Sequence, residues 1–192
     1  MKRACSLLIV PVAALTLAAC GSGGEGPGHD MNGHRMATAS APAAGHNAQD
    51  VMFAQMMIPH HRQAITMAGQ AAAKASSPEV KRLAGRIEHA QAPEIQKMTG
   101  WLRTWGASTS SGDGMHMGDG MMSDQDMKKL DTLSGRAFDT AFLQMMIKHH
   151  QGAVAMARSE QARGSFPEAK AMASDIVTSQ SAEITTMRKL LG

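Results

Sequence analysis

Met56-Met57-Ile58-Pro59-His60-His61 and Met145-Met146-Ile147-Lys148-His149-His150 are near copies of one another. On a helix, residues four apart share a face. Met56 therefore lies beside His60 and Met57 beside His61, and the second copy pairs Met145 with His149 and Met146 with His150. The repetition extends well beyond these twelve residues. At a shift of 89 residues, with no gap, 23 of the 53 positions from 50 to 102 find an identical partner. They run from Asp50 and Phe53 through Ala64, Met67 and Pro78 to Gln91, Glu94, Met98 and Leu102. The composition of the repeat, rich in Ala, Met, Leu, Gln, Lys, Arg and Glu, favours helix. No run of alternating β-branched residues argues for strands. The repeated unit reads as a two-helix hairpin. One hairpin cannot bury its own apolar face, and two packed together can. The expected fold is all-α, a four-helix bundle with pseudo-twofold symmetry.

Working outward, the first hairpin spans 50–105 and the second 136–192, and together they form one domain. Asp50, or equally Asn47, caps a helix that runs to about Ala75, with Pro59 expected to kink it just before the histidines. Ser77-Pro78-Glu79 starts the second helix, which runs to about Trp105: serine as cap, proline in the first turn, glutamate matched to the helix dipole. Pro93 is a second possible kink, and Trp101 and Trp105 read as core or cap packing. Residues 106–135 form a linker with a short helix from Asp124 to Leu133, ended by Ser134-Gly135. The third long helix is expected from about Phe138 to Arg163, and the fourth from Pro167 to Leu191, with Glu168 repeating the first-turn role of Glu79.

The first 19 residues read as an export signal: Lys2 and Arg3, then an apolar run to Leu17 that is too short to span a bilayer. Leu17-Ala18-Ala19-Cys20 resembles a bacterial lipoprotein signal, which implies cleavage before Cys20 and lipid on that residue. An ordinary secretory signal is the alternative. Residues 20–49, rich in Gly, Ala, Ser and Pro, read as a flexible tether. It also carries His29, Met31, His34, Met36 and His46. Loss of 1–19 takes Lys2 and Arg3 with it, so the net charge of +3 falls to +1, which gives no argument for a nucleic-acid partner. The two cysteines of the chain are Cys5, lost with the signal, and Cys20. The mature domain then holds neither disulfide nor free thiol, and its soft metal ligands must be drawn from its methionines, of which the whole chain has 18.

The two turns also set heights along the bundle. Reflecting His60 through a turn at 76–77 lands near 93. Reflecting His149 through 165–166 lands near 182. Gln91, Glu94 and Met98, and their copies Gln180, Glu183 and Met187, are thus expected at the level of the Met and His pairs. A layer with so many polar groups is costly unless each is satisfied, and a bound metal would satisfy them. Imidazole suits Cu, Zn, Fe and Ni, and thioether favours Cu(I). The candidate metal ligands are His60, His61, His149 and His150, with Met56, Met57, Met145, Met146, Met67, Met156, Met98 and Met187, and with Glu94 and Glu183 as ligands or as partners that orient the imidazoles. The ion expected is copper, Cu(I) in preference, with Cu(II) also open to the histidines.

Each piece has an ordinary reading as well. Met67, Met156, Met98 and Met187 at helical spacing are also what core filling looks like. Adjacent histidines point about 100° apart, so one of each pair is free to face solvent. Met115-His116-Met117 and Met121-Met122 in the linker could collect or deliver copper, with chance a fair competitor. An enzyme reading, a carboxylate-bridged di-metal oxidase, calls for Glu-x-x-His on paired helices. No Glu stands three residues before a His anywhere in the chain. A metal-free helical module that binds a protein partner is the third reading. The leading one is a binding protein and not an enzyme, which sequesters copper or passes it to copper-handling partners outside the inner membrane.

With these residues in hand, the chain resembles a bacterial family known as domain of unknown function 305. The resemblance covers about residues 48–191. It rests on Phe53 with Met57-Ile58-Pro59-His60-His61 and Ala64 to Ala68, on Leu133-Ser134-Gly135 and Phe138-Asp139, and on Met146-Ile147-Lys148-His149-His150. It implies a ferritin-like four-helix arrangement and, for exported members, a link to copper binding and tolerance. Lys148 stands where the first copy has Pro59, so the two half-sites need not be equivalent.

Overall fold

The computed structural model describes residues 45–109 and 120–192. The signal segment 1–19, Cys20, the tether residues His29, Met31, His34 and Met36, and Met115-His116-Met117 lie outside the described residues. The chain forms α1 (Ala48–Lys74), α2 (Pro78–Thr104), α3 (Asp124–Thr132), α4 (Gly135–Arg163) and α5 (Pro167–Leu191). The long helices pack as α1 on α2, α4 on α5, and the two hairpins against each other through α1 with α4 and α2 with α5. This is the duplicated four-helix bundle expected from the repeat.

Two local readings are refined, at the start of α1 and at the start of α4. Asn47, not Asp50, is the N-cap of α1: its side chain accepts from the backbone N–H groups of Gln49 and Asp50, and Asp50 closes a capping box on it. α1 continues through Pro59, and α2 through Pro93, as single helices. α4 begins at Gly135, earlier than Phe138, with Ser134 as its N-cap. Gly135 has φ +63°, an angle glycine adopts without strain, and so turns the chain straight into the helix.

Asp50 has a different task. Its carboxylate accepts from the N–H groups of Ser165 and Phe166, the latter at 2.9 Å, at the start of α5. α5 has no side-chain cap of its own, so the first helix of one hairpin caps the second helix of the other. The copy is exact in register. Asp139, the repeat partner of Asp50, accepts from the N–H of Ser76 at 3.1 Å and of Ser77 at 2.9 Å, at the start of α2. Each of these buried aspartates satisfies backbone donors that a helix start leaves unpaired, and the pair ties the two hairpins together at both ends of the bundle.

The core divides into two apolar clusters. One gathers Phe53, Met57, Ile58, Met98, Leu102, Ala153, Ala157, Met172 and Ile176. The other gathers Ala64, Met67, Leu83, Ile87, Phe138, Phe142, Met146, Ile184 and Met187. Every long helix contributes to both. Between them, on all four helices, lies the stretch that holds His60 and His61, Gln91 and Glu94, His149 and His150, and Gln180 and Glu183. α1 and α4 pass through the two clusters in opposite order and are therefore antiparallel. α3 lies across both of them on the outside of the bundle. Met122, placed by the sequence in a copper-collecting linker, is instead 3% exposed and part of the second cluster together with Leu130 of α3. The Gln63 side chain holds it there, donating to its carbonyl oxygen and accepting from its N–H.

Candidate metal centre

All four histidines are buried, none more than 1% exposed. The expectation that one of each pair could face solvent fails for a geometric reason. Two directions 100° apart both point inward when each meets a different neighbouring helix. His60 on α1 faces His149 on α4, with ring centroids 3.7 Å apart at the interface of the hairpins. His61 turns instead to α2, where Nε2 lies 2.6 Å from Oε2 of Glu94. The second repeat does the same, with Nε2 of His150 lying 2.7 Å from Oε2 of Glu183 on α5. The heights deduced by reflecting the histidines through the turns therefore hold.

A carboxylate only accepts hydrogen bonds, so Nε2 of His61 and of His150 carries a ring proton, and in the neutral form of each ring the lone pair is on Nδ1. Nδ1 of both rings is buried without a hydrogen-bond partner, as are both ring nitrogens of His149 and the Oε1 atoms of Gln91 and Gln180. Such orphans cost free energy in a protein interior, on the order of 1–3 kcal/mol each. Burial, and then the neighbouring His60, His150 and His61, hold the pKa of His149 far below the ordinary imidazole range. Its ring is thus neutral at neutral pH, the form that binds a metal ion. Glu94 and Glu183 stand where carboxylates orient ligating imidazoles through the far ring nitrogen.

The methionines separate into groups that spacing alone had merged. Met57, Met98, Met146 and Met187 are wholly buried, and each stands three or four residues from a histidine or glutamate of the layer, within one helical turn. Met67 is equally buried but sits among Ala64, Leu83 and Ile87 in the apolar cluster. It is seven residues from His60, about 10 Å along the helix, farther from the layer than the other four. Met56 and Met145 are only partly buried, and Met145 packs against the cluster that holds Met67. Met56 and Met156 both line an open groove on the outer side of α1 and α4. His46, read as part of the tether, stacks on Trp105 at 4.6 Å, beside Trp101 and Phe166, at one end of the bundle and apart from the layer.

Sequence reasoning missed one buried acid. Glu160 on α4 is wholly buried, and its repeat partner is Ala71. Burial first, then the neighbouring Asp50 carboxylate, push its pKa up to about 8. Burial also raises Asp50, but the contact with Glu160 and the N–H groups of Asn47, Phe166 and Ser165 outweigh it and bring Asp50 down to about 2. The signal available in the sequence was a charged residue on the inward stripe of α4, facing an Ala in the other copy.

A duplicated helical hairpin with four buried histidines in one layer, two of them paired with glutamates, defines a class of all-helical four-helix-bundle proteins. The model of the family described as domain of unknown function (DUF305) matches residues 50–191, and the chain belongs to that family. A comparison with curated proteins finds no match. Among solved structures, a DUF305 protein from Streptomyces coelicolor, named as a candidate secreted protein, is 38% identical, with a TM-score of 0.71 over 74% of this chain and 91% of that one. A DUF305 fragment from Deinococcus radiodurans is 33% identical, with a TM-score of 0.70 over 77% of this chain and 97% of its own. CopM in its Cu(II)-bound form is 39% identical, with a TM-score of 0.66 over 74% of this chain and 95% of that one. It has also been solved in a Cu(I)-bound form.

Proposed function

We propose that this chain is an exported, lipid-anchored copper-binding protein that holds Cu(I) in the layer of His60, His61, His149 and His150 with Met57, Met98, Met146 and Met187, for sequestration or for transfer to a partner. The observation that carries the reading is four wholly buried histidines in one layer of the bundle, with Nδ1 of His61 and of His150 lacking a hydrogen-bond partner and Met57, Met98, Met146 and Met187 within one helical turn along the chain. In this reading the ion takes nitrogen from the imidazoles and sulfur from the methionines that stand within one helical turn of them. That donor set favours Cu(I) over the harder divalent ions. The copper-bound forms of CopM support the same reading. Export and the lipid rest on Leu17-Ala18-Ala19-Cys20. The role is that of a binding protein and not of a catalyst.

Thermal unfolding with and without Cu(I) under anaerobic conditions tests it. A ligand that binds only the folded state raises stability by about 4 kcal/mol at a thousand times its dissociation constant. The midpoint should rise by many degrees for the native chain and by far less when His60 and His149 are both replaced by Gln. An unshifted midpoint for the native chain contradicts the reading. For the anchor, Cys20→Ala should move the protein from the membrane fraction to the soluble one.

A further inference from the structure

The repeat gives the outer face between α1 and α4 two related halves, one on each side of the His60–His149 contact. One half is filled by the chain itself. Met122 and Leu130 are buried against it. The chain enters this cover at Gly120, where an added Cβ would come within 2.8 Å of the Lys148 carbonyl oxygen and 3.0 Å of Gly152 Cα. The symmetry-related half has no such cover among the described residues. It is an open groove of about 350 Å³, with Met52, Phe53 and Met56 on one wall and Gly152 and Met156 on the other.

We infer that this open half-groove is a second, thioether-only Cu(I) site, formed by Met52, Met56 and Met156, through which the ion reaches the buried histidine layer. Met52 and Met56 are four residues apart and share a face of α1, and Met156 stands across from them on α4. All three are partly exposed, where a packing role alone would leave polarizable sulfur on the surface. Thioethers are neutral, soft donors that select Cu(I), and Ag(I) by the same chemistry, and have little affinity for Cu(II). The inner end of the groove is one helical turn from the layer, because Met56 precedes His60 by four residues and Gly152 follows His149 by three. The repeat does not reproduce the trio, since Ala141 stands at the position of Met52 and Met67 at that of Met156 is buried. Among the described residues the trio thus occurs once, on the side that α3 leaves open.

This inference rests on the copper reading above but fails separately from it. The test is titration of the intact mature chain with Ag(I), following the methionine methyl resonances, together with metal stoichiometry after desalting. The expected result is movement of the Met52, Met56 and Met156 methyl signals on addition of Ag(I). A second expectation is a variant with all three replaced by Leu that folds, keeps the responses of Met57 and Met146, and holds one ion fewer. If the layer methyls respond while those of the groove stay in place, the groove site is overturned and the buried site stands. If only the groove methyls respond, the groove site stands and the buried one is overturned. If no methyl responds, both are overturned.

Discussion

Replacing Glu160 by Gln should remove one component of the protein's pH dependence while leaving its shape intact. In the unfolded chain this carboxyl titrates near 4.5, and in the folded chain its pKa is pushed up to about 8. Between those values the folded state holds a proton that the unfolded state has released. Stability therefore falls as pH rises through the window, and it is flat on either side. The full interval corresponds to a ceiling of about 5 kcal/mol, which side-chain relaxation and water entry reduce to about 2 kcal/mol. Gln is close to isosteric, does not titrate and can donate to Asp50. The stability of Glu160→Gln minus that of the native chain should therefore grow by about 2 kcal/mol between pH 5 and pH 8. Urea unfolding of both chains in the presence of a chelator measures it, as a divergence of the midpoints of roughly 1 M for a slope near 2 kcal/mol/M. The His61–Glu94 and His150–Glu183 contacts are common to both chains and cancel in the difference. Midpoints that stay parallel across the window would refute a buried, proton-holding Glu160.

The crossed caps make Asp50 and Asp139 worth more than surface acids. Asp139→Ala leaves the N–H groups of Ser76 and Ser77 without their acceptor, and should cost about 2–3 kcal/mol in urea unfolding. Glu94→Gln, Glu183→Gln or both should weaken Cu(I) binding roughly tenfold or more in a competition assay, with little loss of helix by circular dichroism. Gly120→Ala sets a Cβ against the Lys148 carbonyl at a residue with φ +94°, and should cost about 1–3 kcal/mol. A variant as stable as the native chain would mean that the approach of this segment to α4 is wrong.

Much of the bundle is legible in the sequence because the duplication is gapless. Identical residues at a constant shift give the hairpin, the hairpin gives the turns, and the turns place Glu94 opposite His61 and Glu183 opposite His150. What stays hidden depends on which way a side chain points once four helices meet. Spacing treats Met57 and Met67 alike, yet they belong to different apolar clusters, Met57 within one helical turn of the histidines and Met67 nearly two turns from His60. Spacing also treats His60 and His61 as rivals for a single inward direction, whereas the packing gives each its own partner helix. The task of Asp50 is hidden for a similar reason. In the sequence it stands at the start of its own helix, and only the antiparallel crossing of α1 and α4 brings it to Ser165 and Phe166. Met122 reads as loop because its neighbours are Gly, Met and Ser, and its burial is decided by the groove of α1 and α4 beneath it. Ala71 and Glu160 differ within a repeat that is otherwise closely copied, and that asymmetry is the one trace of the buried acid.

Binding of Cu(I) by the histidine layer is open to direct measurement. Anaerobic competition of the mature chain against a chromophoric Cu(I) chelator, with metal stoichiometry, tests it most directly when run beside a variant with His60, His61, His149 and His150 all changed to Ala and shown by circular dichroism to remain helical. The prediction is that the native chain takes Cu(I) from the chelator and that the helical variant loses this high-affinity binding. Equal affinity in both chains would contradict the claim.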